Sequence, residues 1–564
     1  MKKLFLLIGF LLCSTPLVFG QYTDYNLVKE VQVKNKGVVV SAFPLASEVG
    51  AKILRQGGNA FDASIATQFA LAVVYPQAGN IGGGGFMVAT TEEGKKFTID
   101  FRETAPLKSH KDMYLDAERN ANTDLSQYGS LAAGVPGAVA GLFEMHQYAK
   151  LPMTQLIQPA IDLAEKGYAI TQAQADLFNT YKDDFLRLNK HSIPFVKNLA
   201  WQADDILVQQ DLAHTLKQIQ QKGLKGFYRG KTANLIVKEM KRGNGIISLA
   251  DLRQYKVKVR AALIFDYKGH EVVTMPLPSS GGILLAQMLQ MTNLMGLEDK
   301  QLNSPEAVQP MVEAERRAYA DRAEYMGDPD FIKDQTQKLI SKSYLKQRFA
   351  NYNPDKATPS SAVGDIIIPQ KEKKETTHIS VLDKEGNAVS VTTTLNGNFG
   401  SKVMVSGAGF LLNNEMDDFS VKPGVPNMYG AIGGKANAIA PKKRMLSSMT
   451  PTILLKDNQP FMVVGTPGGT TIPTSVFQVI VDIIDFGTDV NTAVNAPKFH
   501  QQWLPEYILV EEDFPHYTIK TLEKKGYTFK KTAKIGRTEV ILVDKDGKYH
   551  AVADGRGDDS VGVE

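Results

Sequence analysis

The chain has 564 residues, nearly balanced charge (64 Lys and Arg against 60 Asp and Glu, net +4) and an ordinary globular composition, 43% hydrophobic and 22% charged. That balance is too weak to indicate a nucleic-acid or anionic-membrane partner, and repeats of 20 to 50 residues and long low-complexity tracts are absent. Cys13 is the only cysteine, so disulfides and thiolate metal sites find no basis in the rest of the sequence.

Lys2 and Lys3 precede an apolar run over residues 4–12, and Gly20 closes the segment before Gln21. This is the layout of a secretory signal peptide, too short to span a bilayer, and it predicts an exported protein, periplasmic or secreted. Cys13 lies inside that segment, so residues 21 onward carry no cysteine, and removing Lys2 and Lys3 with no acid lowers the net charge from +4 to +2.

Residues 38–40 (Val-Val-Val) read as a strand, residues 46–56 as an amphipathic helix ended by Gly57-Gly58, and residues 63–75 as a second helix opened by Asn59 and stopped by Pro76. Gly82 to Gly85 lack the Lys-Ser/Thr of a phosphate loop and predict instead a close backbone approach beside a strand at 86–90. A strand at 97–101 ends at Arg102. Residues 130–350 read as mostly helical, with helices over 159–166, 231–241 and 304–326, and their histidines (His146, His191, His214) form no catalytic or metal-binding spacing.

Residues 355–375 are polar and charged, ending Lys371-Glu372-Lys373-Lys374-Glu375, and read as an exposed linker. They run directly into a hairpin. Ile379 and Val381 alternate with His378 and Ser380, and Val389 and Val391 with Ser390 and Thr392, around a turn at Lys384-Glu385-Gly386. The alternation selects one register: Asp383 opposite Asn387, Val381 opposite Val389, Ile379 opposite Val391. Continued to the end, it sets Thr376 beside Thr394, with Asn396 two residues farther on the same hydroxyl-rich face. Taken alone, such a row is ordinary strand composition. Placed after an accessible linker, it is the layout needed if the chain is cut before Thr376 and the new terminus does chemistry.

Residues 409–414 read as a short strand leading into Glu415-Met416-Asp417-Asp418, and residues 422–443, rich in Gly and Pro, as a long loop. Strands at 452–455 and 461–464 turn at Asp457-Asn458 and lead into Thr466-Pro467-Gly468-Gly469 at the front of a helix, where unpaired N–H groups favour an anion. Residues 538–543 and 549–553 read as a final hairpin, with no role assigned to residues 555–559.

Thr-Thr-His-Ile-Ser-Val-Leu-Asp at 376–383, Leu-Leu-Asn-Asn-Glu-Met-Asp-Asp-Phe at 411–419, Leu-Ser-Ser-Met-Thr-Pro-Thr at 446–452, Asp-Phe-Arg-Glu-Thr-Ala-Pro at 100–106, Gly82 to Gly85, Thr466 to Gly469, and Ala496-Pro497 with His500 together resemble the γ-glutamyltranspeptidase family, in that family's order and over nearly all of the chain after residue 30. The resemblance implies a four-layer αββα sandwich of the N-terminal nucleophile hydrolase type, and a proenzyme that cuts itself between Glu375 and Thr376. It divides the chain into a signal peptide (1–20), a large subunit (21–375) and a small catalytic subunit (376–564) that stay together as a heterodimer.

The same resemblance implies Thr376 as nucleophile, Thr394 as its orienting neighbour, and Gly468 and Gly469 as oxyanion donors. Arg102, Ser447 and Ser448 would hold the substrate's α-carboxylate, and Asn396, Glu415 and Asp418 its ammonium, with Tyr429 in a lid. Some relatives have glutamine at the position of Glu415. No metal or organic cofactor is implied, and the partners are small molecules: glutathione and other γ-glutamyl compounds, with amino acid or peptide acceptors. A β-lactam side-chain acylase or polyglutamate-anchoring transferase of the same fold, and an uncut exported binding protein, remain open alternatives at this level.

Overall fold

The computed structural model describes residues 25, 27–364, 376–422 and 424–564. The expected signal segment and Glu375 lie outside them. Among the described residues no helix is long and apolar enough to cross a membrane.

Two seven-stranded sheets form the centre of the molecule. In the first, the order is Ser560–Val563, Val38–Ser41, Thr377–Leu382, Ala388–Thr394, Gly84–Thr90, Lys96–Asp100 and Lys258–Arg260. In the second, it is Glu30–Lys34, Lys548–Ala553, Glu539–Val543, Gln459–Gly465, Thr452–Lys456, His270–Thr274 and Leu263–Tyr267. Every pairing within these two sheets is antiparallel.

Period-two alternation explains the layers. Val38 and Val40 join Phe86, Val88, Ile453, Val463 and Ile541 in the core between the sheets, while Val39 points the other way, with Met87, Val381 and Val391, into a core beneath helices Pro44–Arg55 and Ala60–Val74. In the second sheet Ile453 and Leu455 face inward, and Leu454 packs outward with Met462 and Val464 against helices Gly281–Asn293, Pro305–Tyr325 and Ile472–Ile484. Both sheets are therefore covered on both faces, which is the αββα sandwich expected.

Local signals account for several boundaries. Asn59 caps Ala60–Val74 through a reciprocal box with Asp62. The hairpin has the register derived from its alternation, from Thr377 opposite Thr393 to Leu382 opposite Ala388. Asp383 N donates to Asn387 O, and Gly386 takes the positive φ (+96°) of the turn.

The hydroxyl-bearing face of the hairpin meets the second sheet: Ser380 Oγ donates to Glu539 O, and Ser390 Oγ to Val464 O. One expectation needs correction: residues 409–414 are not a strand. They form one isolated bridge, Met404 to Leu411, and are held by side chains, with Asn413 Nδ2 donating to Gly82 O and Gly134 O. Beyond what was read from sequence, the C-terminal hairpin is followed by a further strand, Ser560–Val563, on Val38–Ser41, and the mostly helical stretch also contributes Lys258–Arg260 to the first sheet and the hairpin Leu263–Tyr267 and His270–Thr274 to the second.

Candidate active site

The site forms where the first sheet's central hairpin meets the loops leaving the second. Thr376, one residue before its strand, Thr394, at the end of the next, and Asn396, just beyond, are all nearly fully buried. Asn396 N donates to Thr394 Oγ1 (2.7 Å), and Asn396 occupies a left-handed turn (φ +79°) with its amide on Asn414 O. Gly83 seats this turn. A Cβ there would fall 2.0 Å from Thr394 O, so only glycine permits the approach, and Asn80 Nδ2 donates to the same carbonyl.

Thr376, Thr394, Asn396, Arg102, Asp418, Tyr429, Ser447, Ser448 and Gly469 line one small pocket. Gly468 is the residue before the short turn Gly469–Thr471 and does not line the pocket. Glu415 also lies beneath the lining, fully buried. Arg322, Asn427, Met449, Thr470 and Ile472 line it as well, although the sequence reading did not single them out.

Arg102 follows strand Lys96–Asp100 and is completely buried. Its guanidinium meets Glu415 Oε2 and Asp418 Oδ2 at 2.5 Å each, and Glu103 Oε2 at 3.4 Å. The expected carboxylate-binding and ammonium-binding groups are thus one ion-paired cluster. Burial works against the Arg102 charge, but Glu415, Glu103 and Asp418 outweigh it and raise its pKa. Burial pushes all three acids up, Glu103 to about 7, against the pull of Arg102. The cluster therefore resists carrying three full negative charges at neutral pH.

The loop expected as a lid places Asn427 and Tyr429 in the pocket wall. Tyr429 OH donates to Asn396 O (2.5 Å), Asn427 Nδ2 donates to Asp418 Oδ1 (3.1 Å), and Gln502 Nε2 donates to Tyr429 O (3.3 Å). The Tyr429 ring covers Gly469, where a Cβ would lie 2.6 Å from a ring atom. Gln502 Oε1 accepts from Thr470 Oγ1 and faces His500 Nε2, which ties the lid to the glycine turn and to His500.

A threonine hydroxyl at the start of a strand, a glycine turn ahead of a helix and a buried arginine–carboxylate cluster beside one pocket are groups that can perform acyl transfer on a substrate that carries an amino-acid head group. Comparison with known proteins agrees with this chemistry. The sequence profile of the gamma-glutamyltranspeptidase family matches residues 46–563. The glutathione hydrolase proenzyme of Escherichia coli (strain K12) is 44% identical over 555 residues, covering 97% of this chain and 94% of the relative. Among solved structures, Helicobacter pylori gamma-glutamyltranspeptidase is 47% identical, with a TM-score of 0.56 over 57% of this chain and 93% of that one. Cephalosporin acylase from Bacillus halodurans is 26% identical, with a TM-score of 0.82 over 94% of this chain and 96% of that one. Matched from near its first helix to its last strand, the chain belongs to the gamma-glutamyltranspeptidase family.

Proposed function

We propose that the chain is an exported, self-cutting γ-glutamyl hydrolase and transferase acting on glutathione and related γ-glutamyl amides. The observation that carries this reading is the meeting of Thr376, first residue after the linker, with Arg102, Asp418, Ser447 and Ser448 in one pocket. In maturation, Thr376 Oγ attacks the Glu375 carbonyl, the peptide C–N bond breaks as the Thr376 nitrogen takes a proton, and water cleaves the resulting ester. This leaves a Glu375 carboxylate and an amino-terminal threonine. Its α-amine, with an ordinary pKa of about 7.7 to 8, is partly neutral near pH 7 and takes the hydroxyl proton in each later turnover.

In turnover, Thr376 Oγ attacks the γ-carbonyl of the donor. The N–H groups of Gly468 and Gly469 hold the oxyanion, the amine leaves with a proton, and a γ-glutamyl ester forms on Thr376. Water then gives glutamate, or an amino acid or peptide amine gives a new γ-glutamyl compound. Thr394 orients Thr376. Arg102, Ser447 and Ser448 select the α-carboxylate, while Asn396, Glu415 and Asp418 select the ammonium. The pieces 21–375 and 376–564 remain a heterodimer.

The likeness to a cephalosporin acylase favours a second reading, hydrolysis of a β-lactam side-chain amide on the same fold. An acyl group without an α-carboxylate would leave the buried cationic side of this pocket unmatched, which supports the γ-glutamyl substrate. Intact mass and amino-terminal sequencing of the purified protein are expected to give two pieces, the second beginning Thr-Thr-His-Ile-Ser. Thr376→Ala is expected to remain one chain and to lose glutathione cleavage. Parental turnover by Thr376→Ala would sink the mechanism.

A further inference from the structure

Residues 80–83, Asn-Ile-Gly-Gly, lie between helix Ala60–Val74 and strand Gly84–Thr90. All four are buried and none lines the pocket, so no step of the reaction uses them directly. Their contacts nonetheless reach two of its walls. Asn80 Oδ1 accepts from Gly83 N (2.8 Å), which folds the loop back on itself. Asn80 Nδ2 donates to Ala78 O (2.9 Å) and Thr394 O (3.0 Å), with Thr393 Oγ1 at 3.3 Å. The ladder between Gly84–Thr90 and Ala388–Thr394 ends at the pair Gly84 and Thr394. Asn80 therefore supplies a side-chain donor where the ladder stops, just before the chain turns left-handed at Asn396. Thr376 and Thr394 both line the pocket at this end of the hairpin, one step past the pair Thr377 and Thr393.

The same loop holds the acidic turn Glu415–Asp418 from its other side. Gly82 O accepts from Asn413 Nδ2 (2.9 Å), and Asn413 Oδ1 accepts from Gly134 N (2.8 Å) and Glu415 N (3.1 Å). Both approaches need glycine: a Cβ at Gly82 would lie 2.0 Å from Leu411 O, as one at Gly83 would from Thr394 O. Gly83 O accepts from Gly137 N and Ala138 N at the front of helix Ala138–Met145, which fixes the loop from a third direction. We propose that Asn80 is a positioning residue for the nucleophile. By holding the Thr394 carbonyl it sets where the strand ends, and so where Thr376 stands relative to the glycine turn. Asn413, on the opposite side of the loop, positions the acids and not the nucleophile. This deepens the reading of Thr376 as nucleophile and rests on it. A buried carbonyl stripped of its donor is costly, and a displacement of a reacting group by about 1 Å is enough to slow a reaction strongly.

The test makes one change at two points of the loop: Asn80→Asp and Asn413→Asp each replace an amide donor by a carboxylate oxygen facing carbonyls. Conversion of the precursor after cell-free synthesis reads Thr376 chemistry without any γ-glutamyl substrate. Asn80→Asp is expected to slow self-cutting on the order of 100-fold, and Asn413→Asp by no more than about threefold. The cut fractions are then assayed with γ-glutamyl p-nitroanilide. Asn80→Asp is expected to lower kcat on the order of 10- to 100-fold at a KM within about twofold of the parent, whereas Asn413→Asp raises KM about tenfold and changes kcat only a few-fold.

Parental cutting by Asn80→Asp would overturn the proposal. Equal slowing of cutting by both variants, or a raised KM with parental kcat in Asn80→Asp, would overturn it in favour of a general structural role. If Asn80→Asp fails to fold, Asn80→Ser, uncharged and one atom shorter, carries the comparison. A parent protein that cuts itself but hydrolyses no γ-glutamyl amide would instead overturn the γ-glutamyl reading, and the cutting rates alone then decide the role of Asn80. A parent that stays one chain would overturn both.

Discussion

His378, two residues beyond Thr376, shows how one side chain can tie the site to the stability of the sandwich. Its ring is fully buried between the sheets, with Nδ1 2.8 Å from Thr392 Oγ1 and Nε2 3.1 Å from Ser380 Oγ. It packs on Gly465, where a Cβ would fall 2.1 Å from the ring, on the strand that leads to the glycine turn. Burial pulls its pKa from 6.5 down to about 3. The unfolded residue takes a proton below about pH 6.5 and the folded one only near 3, so its contribution is intact above 6.5 and is lost as pH falls, by about 1.4 kcal/mol per unit. His378→Gln in the uncut Thr376→Ala background should therefore be less stable at about pH 7.5, with the gap in melting temperature closing toward about pH 4.5. Parallel melting curves would show that His378 titrates normally.

At the scale of elements, one of the bonds that hold the Tyr429 loop, the expected lid, comes from Gln502. Gln502 offers its amide N–H to Tyr429 O while its Oε1 accepts from Thr470. Gln502→Glu replaces that donor with an oxygen facing a carbonyl, and losing a hydrogen bond of about 1 kcal/mol corresponds to roughly fivefold more opening. Amide exchange across residues 424–434 is expected to quicken by at least that factor, and KM for the donor to rise. Unchanged exchange would mean that the Asn396 and Gly469 contacts suffice.

The long Gly-Pro loop that carries Tyr429 was readable in advance, as were the hairpin register, because Val381 and Val389 cannot exchange faces with Ser380 and Ser390, and the close approach at Gly83. The span of helix Pro305–Tyr325 was readable, but its burial was not. Glu313, Glu315, Arg316, Arg317, Asp321 and Arg322 look like a solvated face, yet all are buried by partners distant in sequence. The strand Lys258–Arg260 was missed for the same reason: its partner, Thr98 to Asp100, is over 150 residues away. Arg322 thus passed as one charge among many, although the fold brings it to the pocket wall.

Across the whole molecule, each of the two large sheets mixes strands from before and after position 376. Val38–Ser41 lies between Thr377–Leu382 and Ser560–Val563, while Ala388–Thr394 borders Gly84–Thr90. In the other sheet, Glu30–Lys34 pairs with Lys548–Ala553, and His270–Thr274 with Thr452–Lys456. A cut at position 376 leaves all these ladders in place, so the two pieces should co-elute through gel filtration and at high salt, and part only in denaturant. Separation in plain buffer would contradict the interleaving. The same weave makes folding a single-use event. Before the cut, each of these strand pairings closes a loop within one molecule. Afterward it must form between two, so recovery from denaturation becomes concentration-dependent and fails at high dilution. The lifetime of the processed protein is then governed by how rarely its sheets first come apart, a rate rather than an equilibrium.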